Sequence, residues 1–514
     1  MHKIFKFSVF AFALIILATA NINAQFSLIS VEQLNFDTLG TCQTGANILH
    51  TEQGNIVVAW GDAQEVNPYF NVFMAVSTDF GQTFCEPIKV NDNVGYALTG
   101  GEDVIGIAEN SLGYQVFCWT DMRHGTSNKD VYGRIRGYNG MFSPVFRIND
   151  DQTFFHQYLP RIIQVGNSDT LIAAWQDGRL CYQGCLSVFA SMSTDGGQNW
   201  ETNIRASVQP FGNETSGRCA PSMAVGNDGR VMVAFRNNVD HYREIYSARS
   251  DSDFTSFDAP VQVDSSGWWL PVCPATSPAI IQHSSGDWVC AYANGRTGTY
   301  KIYTARSADN GISFGDETLV GGDQWQNYPQ LVEIGYGWLL VAFQEKLPNQ
   351  ENTRIVGSIS YDAGMTWGPL FQISDDAVSV KSNIQIAYDG INNLYAVWVD
   401  NRSGDKNIFF AILEAQVTSV DNNADRPESI SILRAYSNPF NAQTVISYTL
   451  SHSTRINLSI YNIMGQRVAT LVEGRKEIGE HSVIWNAVHK PSGIYFARLE
   501  TSDRIKSMKV ILLK

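Results

Sequence analysis

The chain has 514 residues, a formal charge of −14, 44% hydrophobic, 12% aromatic and only 17% charged residues, and 42 glycines. This composition excludes a disordered chain and a long coiled coil. Residues 1–24 carry +2 and residues 431–514 a surplus of six basic groups, which leaves −22 on residues 25–430; a body so acidic repels phosphate backbones, and no nucleic-acid partner is expected.

Lys3 and Lys6 precede an uncharged run from Phe7 to Ala20 and a small-residue exit, Asn21-Ile-Asn-Ala24, the pattern of a cleaved secretory signal peptide over residues 1–24. The run is shorter than the roughly 20 apolar residues a bilayer span requires, and no later segment approaches that length, so no transmembrane segment is expected. Eight cysteines are too sparse for a disulfide scaffold but could pair after export. Cys181 and Cys185 are the nearest pair; they read equally as a loop staple or as thiols, and no His stands at zinc-ligand spacing.

Phe26 to Asn35 has strand character and no partner of its own. After it, short apolar strands end in an aromatic at Trp60, Trp119, Trp175, Phe235, Tyr292, Phe343 and Trp398, at spacings of 59, 56, 60, 57, 51 and 55 residues. That period suits one four-stranded propeller blade with its loops. Middle units open on a Pro-bearing strand, at Pro160, Pro221, Pro278 and Pro329.

Four units carry Ser-x-Asp-x-Gly-x-x-Trp/Phe between their third and fourth strands, at Ser77/Asp79/Gly81/Phe84, Ser193/Asp195/Gly197/Trp200, Ser307/Asp309/Gly311/Phe314 and Ser360/Asp362/Gly364/Trp367. Ser and Asp bond their own turn, Gly supplies the unusual φ, and the aromatic packs between sheets. Units two and four keep remnants, Arg136 to Phe142 and Ser250 to Phe257. The last unit ends at Phe409-Phe-Ala-Ile-Leu413 without a fourth strand, so the amino-terminal strand is expected to complete it and close a seven-membered ring.

Just past the aromatics stand Asp121-Met-Arg123, Asp177-Gly-Arg179, Asn294-Gly-Arg296 and Asp400-Asn-Arg402, with a partial copy at Asp62. Because strands in a blade alternate direction, these loops lie on the face opposite the Ser-x-Asp-x-Gly turns. Arg123, Arg179, Arg296 and Arg402, with Asp121, Asp177 and Asp400, are therefore the candidate ligand-binding residues of the loop face. Under a catalytic reading, Arg161 joins these arginines as a candidate anion clamp. The competing reading, favoured because four equivalent blades seldom serve one ligand, is a repeated clasp in which each Asp holds its own Arg.

Residues 417–430 read as a polar linker. Beyond it, strand-like runs over 445–450, 456–461, 482–485, 493–499 and 508–514 suggest a small antiparallel β-sandwich. The fold class is therefore all-β, a seven-bladed (alternative six-bladed) β-propeller followed by that sandwich.

The recurrent turn resembles the Asp box, or bacterial neuraminidase repeat, of sialidase-type propellers over residues 25–416, and the resemblance implies that Asp79, Asp195, Asp309 and Asp362 are structural. Ser437-Asn-Pro-Phe-Asn441, Tyr461-Asn-Ile-Met-Gly-Gln-Arg-Val468 and Ser492-Gly-Ile-Tyr-Phe496, in that order, resemble the type A sorting domain of the type IX secretion system over residues 431–514. This implies a Bacteroidota-like exporter, the secretion machinery as partner, and a product secreted or held at the outer cell surface via the periplasm. A glycan or glycoprotein ligand on the loop face is the functional expectation. The rival is an exo-sialidase or related glycoside hydrolase, which would need a Tyr nucleophile, a carboxylate, a separate acid and three converging arginines. The Arg-Ile-Pro element of sialidases is absent, no residue stands out as catalytic, and whether the protein is an enzyme stays open. No metal site or cofactor is expected; the acidity leaves Ca2+ open, although no Asp-rich loop reaches ligand spacing.

Overall fold

A computed structural model describes residues 22–34, 42–63, 70–92, 96–100, 103–180, 186–208, 214–215, 219–239, 241–265, 267–271, 274–419, 430–436, 438, 440–450, 454–462, 466–477, 479–501 and 505–514. The signal run over 1–21, Cys181, Cys185 and Cys273, and linker residues 420–429 lie outside them. Asn23–Thr418 forms one compact unit and Ser419–Lys514 belongs to a second.

The first unit consists of seven antiparallel sheets, six of them built from consecutive strands. The second strands explain why the sheets assemble. Ile56–Asp62, Gln115–Asp121, Leu171–Asp177 and Trp288–Asn294 are buried at every position. A strand that is apolar on both faces needs a neighbouring sheet on each side. Their closing aromatics, from Trp60 to Trp398, are at most 2% exposed. The first strands form the inner ring. Gln43–His50 meets Gly106–Glu109, then follow Gln157–Gln164, Ser222–Val225, Ala279–Gln282, Gln326–Ile334 and Lys381–Tyr388, and the last returns to the first.

The seventh sheet runs Ile22–Gln33, Asn407–Ser419, Asn393–Asp400, Lys381–Tyr388, so the amino-terminal strand supplies the missing fourth strand. Phe26 packs in the core shared by blades 6 and 7, stacked 5.9 Å from Phe371, and Leu34 packs against blade 1 beside Ile48 and Trp60. The fold is therefore a closed seven-bladed β-propeller, the larger of the two blade counts raised by the sequence.

Each Ser-x-Asp-x-Gly turn repeats one set of bonds. The Ser77 hydroxyl donates to Asp79 (2.7 Å) and accepts from the Gly81 amide (2.8 Å), and Asp79 accepts from the Thr83 amide (2.9 Å) and hydroxyl (2.6 Å). Asp195, Asp309 and Asp362 do the same with Asn199, Ser313 and Thr366. Two consecutive left-handed residues form the bend, as at Phe80 (φ 62°) and Gly81 (φ 84°). A Cβ on Gly81 would come within 2.7 Å of the Phe410 ring in blade 7, so this glycine also sets the spacing between blades. In the blade-4 remnant Asp251 takes over, accepting from Thr255 and Ser256.

The second unit is a sandwich of two sheets. One contains Ile430–Tyr436, Gln443–Leu450 and Gly479–Asn486; the other contains Arg467–Lys476, Thr454–Asn462, Gly493–Glu500 and Ile505–Leu512. Trp485, Tyr495, Leu458, Ile460 and Val510 are among its core residues. The sequence reading omitted Ile430–Tyr436 and Arg467–Lys476. The latter is an edge strand, half-exposed and interrupted by charges and Gly474, so its pattern lacks a buried stripe.

The hydroxyl and amide bonds at their turns hold Asp79, Asp251 and Asp309 down at about 2. A carboxylate with a depressed folded value stabilises above its unfolded value of about 4 and loses that contribution as pH falls through the folded value. We therefore expect the melting temperature to drop between about pH 4 and pH 2, with Asp309→Asn flattening part of the drop; an unchanged profile in that variant would deny the turn its role.

Candidate functional site

Strand direction separates the two faces. In blade 2 Asp121 pairs with Asp130 at one end of the sheet and Gln115 with Arg136 at the other, so the Asp/Arg loops and the third-to-fourth-strand turns point opposite ways. The loop face therefore gathers the ends of the second and fourth strands and the starts of the first and third.

There the Asp–x–Arg elements form clasps. Asp121, Asp177 and Asp400 are at most 1% exposed and accept the indole N–H of Trp119 (2.9 Å), Trp175 (2.9 Å) and Trp398 (3.2 Å). Each also accepts the amide and guanidinium of the arginine two residues on: Arg123 Nε reaches Asp121 at 2.9 Å, Arg179 NH2 reaches Asp177 at 2.7 Å, and Arg402 NH2 reaches Asp400 at 2.6 Å. A second carboxylate then comes from the preceding blade. Asp92 faces Arg123 at 3.3 Å, Asp150 faces Arg179 at 2.6 Å, and Asp375 faces Arg402 at 2.5 Å. The guanidinium finally lies over an aromatic of its own third strand, Tyr132 at 3.9 Å, Phe189 at 4.5 Å and Phe409 at 4.0 Å. Arg296 varies the plan: the neutral Asn294 accepts its backbone amide, the carboxylate, Glu317, comes from the fourth strand of its own blade, and the guanidinium lies over Tyr303 at 4.1 Å.

Burial works against these charges, yet the paired carboxylates outweigh it and raise Arg123, Arg179 and Arg402 above the ordinary arginine value. Each of the four guanidiniums is turned to its own acids, so they do not assemble into a shared anion clamp. In blade 7 the network extends to Lys381, 1% exposed and 3.6 Å from Asp400; burial lowers its pKa.

Arg161 lies elsewhere, on the inner strand of blade 3 beside a group the sequence did not single out. Asp103 is buried, accepts the Thr120 hydroxyl at 3.0 Å, and is pushed up to about 7 by desolvation against the counter-pull of Thr120, Arg161 and Lys129. Nearby Leu159 takes φ 59° at a bulge in the inner strand. The same left-handed bulge recurs at Gly45, Tyr328 and Asn383, which marks it as a repeat of the inner ring.

A second feature that sequence reading missed is an aromatic row across blades 4 to 6. Tyr242 opens the third strand of blade 4, and Trp269 bridges to it; they are 46% and 56% exposed. Trp268 turns the other way, 4.7 Å edge-on to Tyr300, which stacks 5.8 Å from Trp325, with Lys346 above the Trp325 ring. Backbone bonds fix the row: Arg243 N–H to Trp268 O (2.8 Å), Gln326 N–H to Tyr300 O (2.8 Å) and Lys346 N–H to Trp325 O (2.9 Å). Trp268 also explains Gly295, whose Cβ would sit 2.6 Å from its ring. The signal in the sequence was the Trp268-Trp269 pair, which lies outside every repeat motif.

Among the described residues no three His, Cys, Asp or Glu side chains are placed to hold a metal ion, and no helix is long and apolar enough to cross a membrane.

Residues 434–513 match the family described as the secretion system C-terminal sorting domain. The chain thus carries the address of type IX secretion, to the cell surface or the extracellular space. No curated protein matches it. Among solved structures, it resembles a protein of unknown function from Dyadobacter fermentans at 14% identity and TM-score 0.48, over 76% of this chain and 99% of that one. It resembles the GH93 α-L-arabinofuranosidase of Fusarium graminearum at 10% identity and TM-score 0.47, over 75% and 98%. A PL25 ulvan lyase follows at 11% identity and TM-score 0.48, over 76% and 100%. Likeness at this level assigns neither substrate nor reaction.

The clasps should differ in weight with burial. We expect Arg402→Met, which strips a guanidinium from the fully buried Asp400, to cost about 2–3 kcal/mol. Loosening the longer contact to the more exposed Asp92 by Asp92→Asn should cost under about 1 kcal/mol. Denaturant unfolding measures both, and equal losses would contradict the assignment.

Proposed function

We propose that the protein is an exported sialidase-like Asp-box propeller, led out by a signal peptide over residues 1–24 and a sorting domain over residues 431–514, that binds glycans or glycoproteins through its loop face. The carrying observation is the row Tyr242, Trp269, Tyr300 and Trp325. Tyr242 and Trp269 are exposed and Tyr300 and Trp325 half-buried; aromatic rings held by backbone bonds on rigid strand ends suit the C–H faces of sugar rings, and polar groups around them suit hydroxyls. The clasped arginines support binding by the row rather than by themselves.

A second reading, glycoside hydrolysis, has one observation in its favour. Asp103, raised to about 7 beside Arg161, has the proton affinity of a general acid working near neutral pH.

A glycan array probed with the mature chain tests both. We expect retention on a subset of glycans, weakened about tenfold by Trp269→Ala, and no turnover of fluorogenic glycosides. Turnover abolished by Asp103→Asn would establish the hydrolase instead, and neither binding nor turnover would sink both readings.

A further inference from the structure

We infer that the ligand of the aromatic row is an uncharged oligosaccharide rather than an acidic one. This rests on the glycan reading above and names the ligand class within it.

The charge bookkeeping around the face carries the inference. At two blades one guanidinium is met by two carboxylates, so each clasp has a net charge of −1: Arg123 with Asp121 and Asp92, Arg179 with Asp177 and Asp150; at blade 7 Lys381 joins Arg402 against Asp400 and Asp375, and the charges balance. A uronate, sialate or sulfate could reach such an arginine only by displacing a carboxylate from it. The inner carboxylate of each clasp is buried and would be left without its partner, a cost well beyond the gain from a solvent-exposed anion contact. The outer one ties the clasp to the preceding blade, so displacing it would loosen the ring.

Beside the row Arg236 is buried and spent on backbone carbonyls, and two lysines are paired with acids. Lys346, over Trp325, contacts Glu351 at 2.6 Å, and Lys301, next to Tyr300, faces Asp323 at 3.6 Å. Surrounding them is a body of charge −22 over residues 25–430, whose field disfavours any anionic polymer. Carboxylates that repel an acid accept hydrogen bonds from sugar hydroxyls, and Asp323 and Glu351, exposed next to the row, are open to do so. A neutral sugar thus finds what the face offers: aromatic planes for its C–H faces and acceptors for its hydroxyls.

Isothermal titration of the mature full-length chain decides the matter, with xylohexaose, arabinohexaose and maltoheptaose as neutral probes and hexagalacturonate and sialyllactose as acidic ones. At least one neutral probe should bind with an affinity that changes less than about twofold between roughly 0.05 and 0.5 M NaCl, because no ion pair is screened. Trp269→Ala and Trp325→Ala should each weaken it about tenfold, the exposed Trp269→Ala at the parent melting temperature. Acidic probes binding more tightly, with affinity that collapses in salt, would overturn the inference and leave the glycan reading standing. Neutral binding unaltered in both Trp variants would overturn the site. Binding of neither class would remove the glycan reading itself.

Discussion

Every blade of this propeller contains a strand that cannot stand in water on either face. A sheet carrying Ile56–Asp62 or Leu171–Asp177 at its centre gains its stability only when two neighbours cover it, and a row of such sheets always leaves two ends uncovered unless it closes. Closure is achieved by joining residues from opposite ends of the propeller sequence, Ile22–Gln33 beside Asn407–Ser419. Phe26 and Leu34 then place apolar side chains on the two sides of that seam, one toward blade 6 and one toward blade 1. The remaining features depend on this ring.

The two faces are secured by different chemistry. On one, the turn aspartates keep their bonds inside a single turn, so Asp79 or Asp309 organises its own hairpin, and the preceding blade adds a bond to the turn backbone, as from Arg249 to the Asn310 carbonyl at 2.8 Å. On the other, the arginine clasps reach between blades, from Asp92 to Arg123 and from Asp375 to Arg402. In the proposed reading, guanidiniums recruited for assembly are not offered to a ligand. What the loop face then has to offer is the aromatic row of blades 4 to 6 and the exposed acids beside it.

How much of this was legible in the sequence follows from how local each interaction is. The aromatic at the end of each second strand recurs at blade spacing, so the blade count could be read, and the unpaired strand at Phe26 pointed to closure. The inner half of each clasp was also visible, since Asp121 and Arg123 are two residues apart. Its outer half was not: Asp150 and Arg179 are 29 residues apart, on consecutive blades, and nothing in either segment advertises the other. The blade-4 turn hid because Asp251 directly follows Ser250 instead of standing two residues beyond it, yet it accepts the same bonds. Trp268 and Gly295 needed three dimensions, for their relation is one of close approach. Asp103 was missed because its unusual proton affinity comes from burial among other blades rather than from its neighbours in the chain.

The most direct measurement is calorimetric unfolding of the chain lacking residues 25–34. If the amino-terminal strand closes the ring, its loss exposes both seam faces, and the propeller should melt about 10 °C or more below the intact protein with a smaller enthalpy. An unaltered midpoint and enthalpy would mean that the seven sheets hold together without that seam, contradicting the closure on which the clasps and the aromatic row depend.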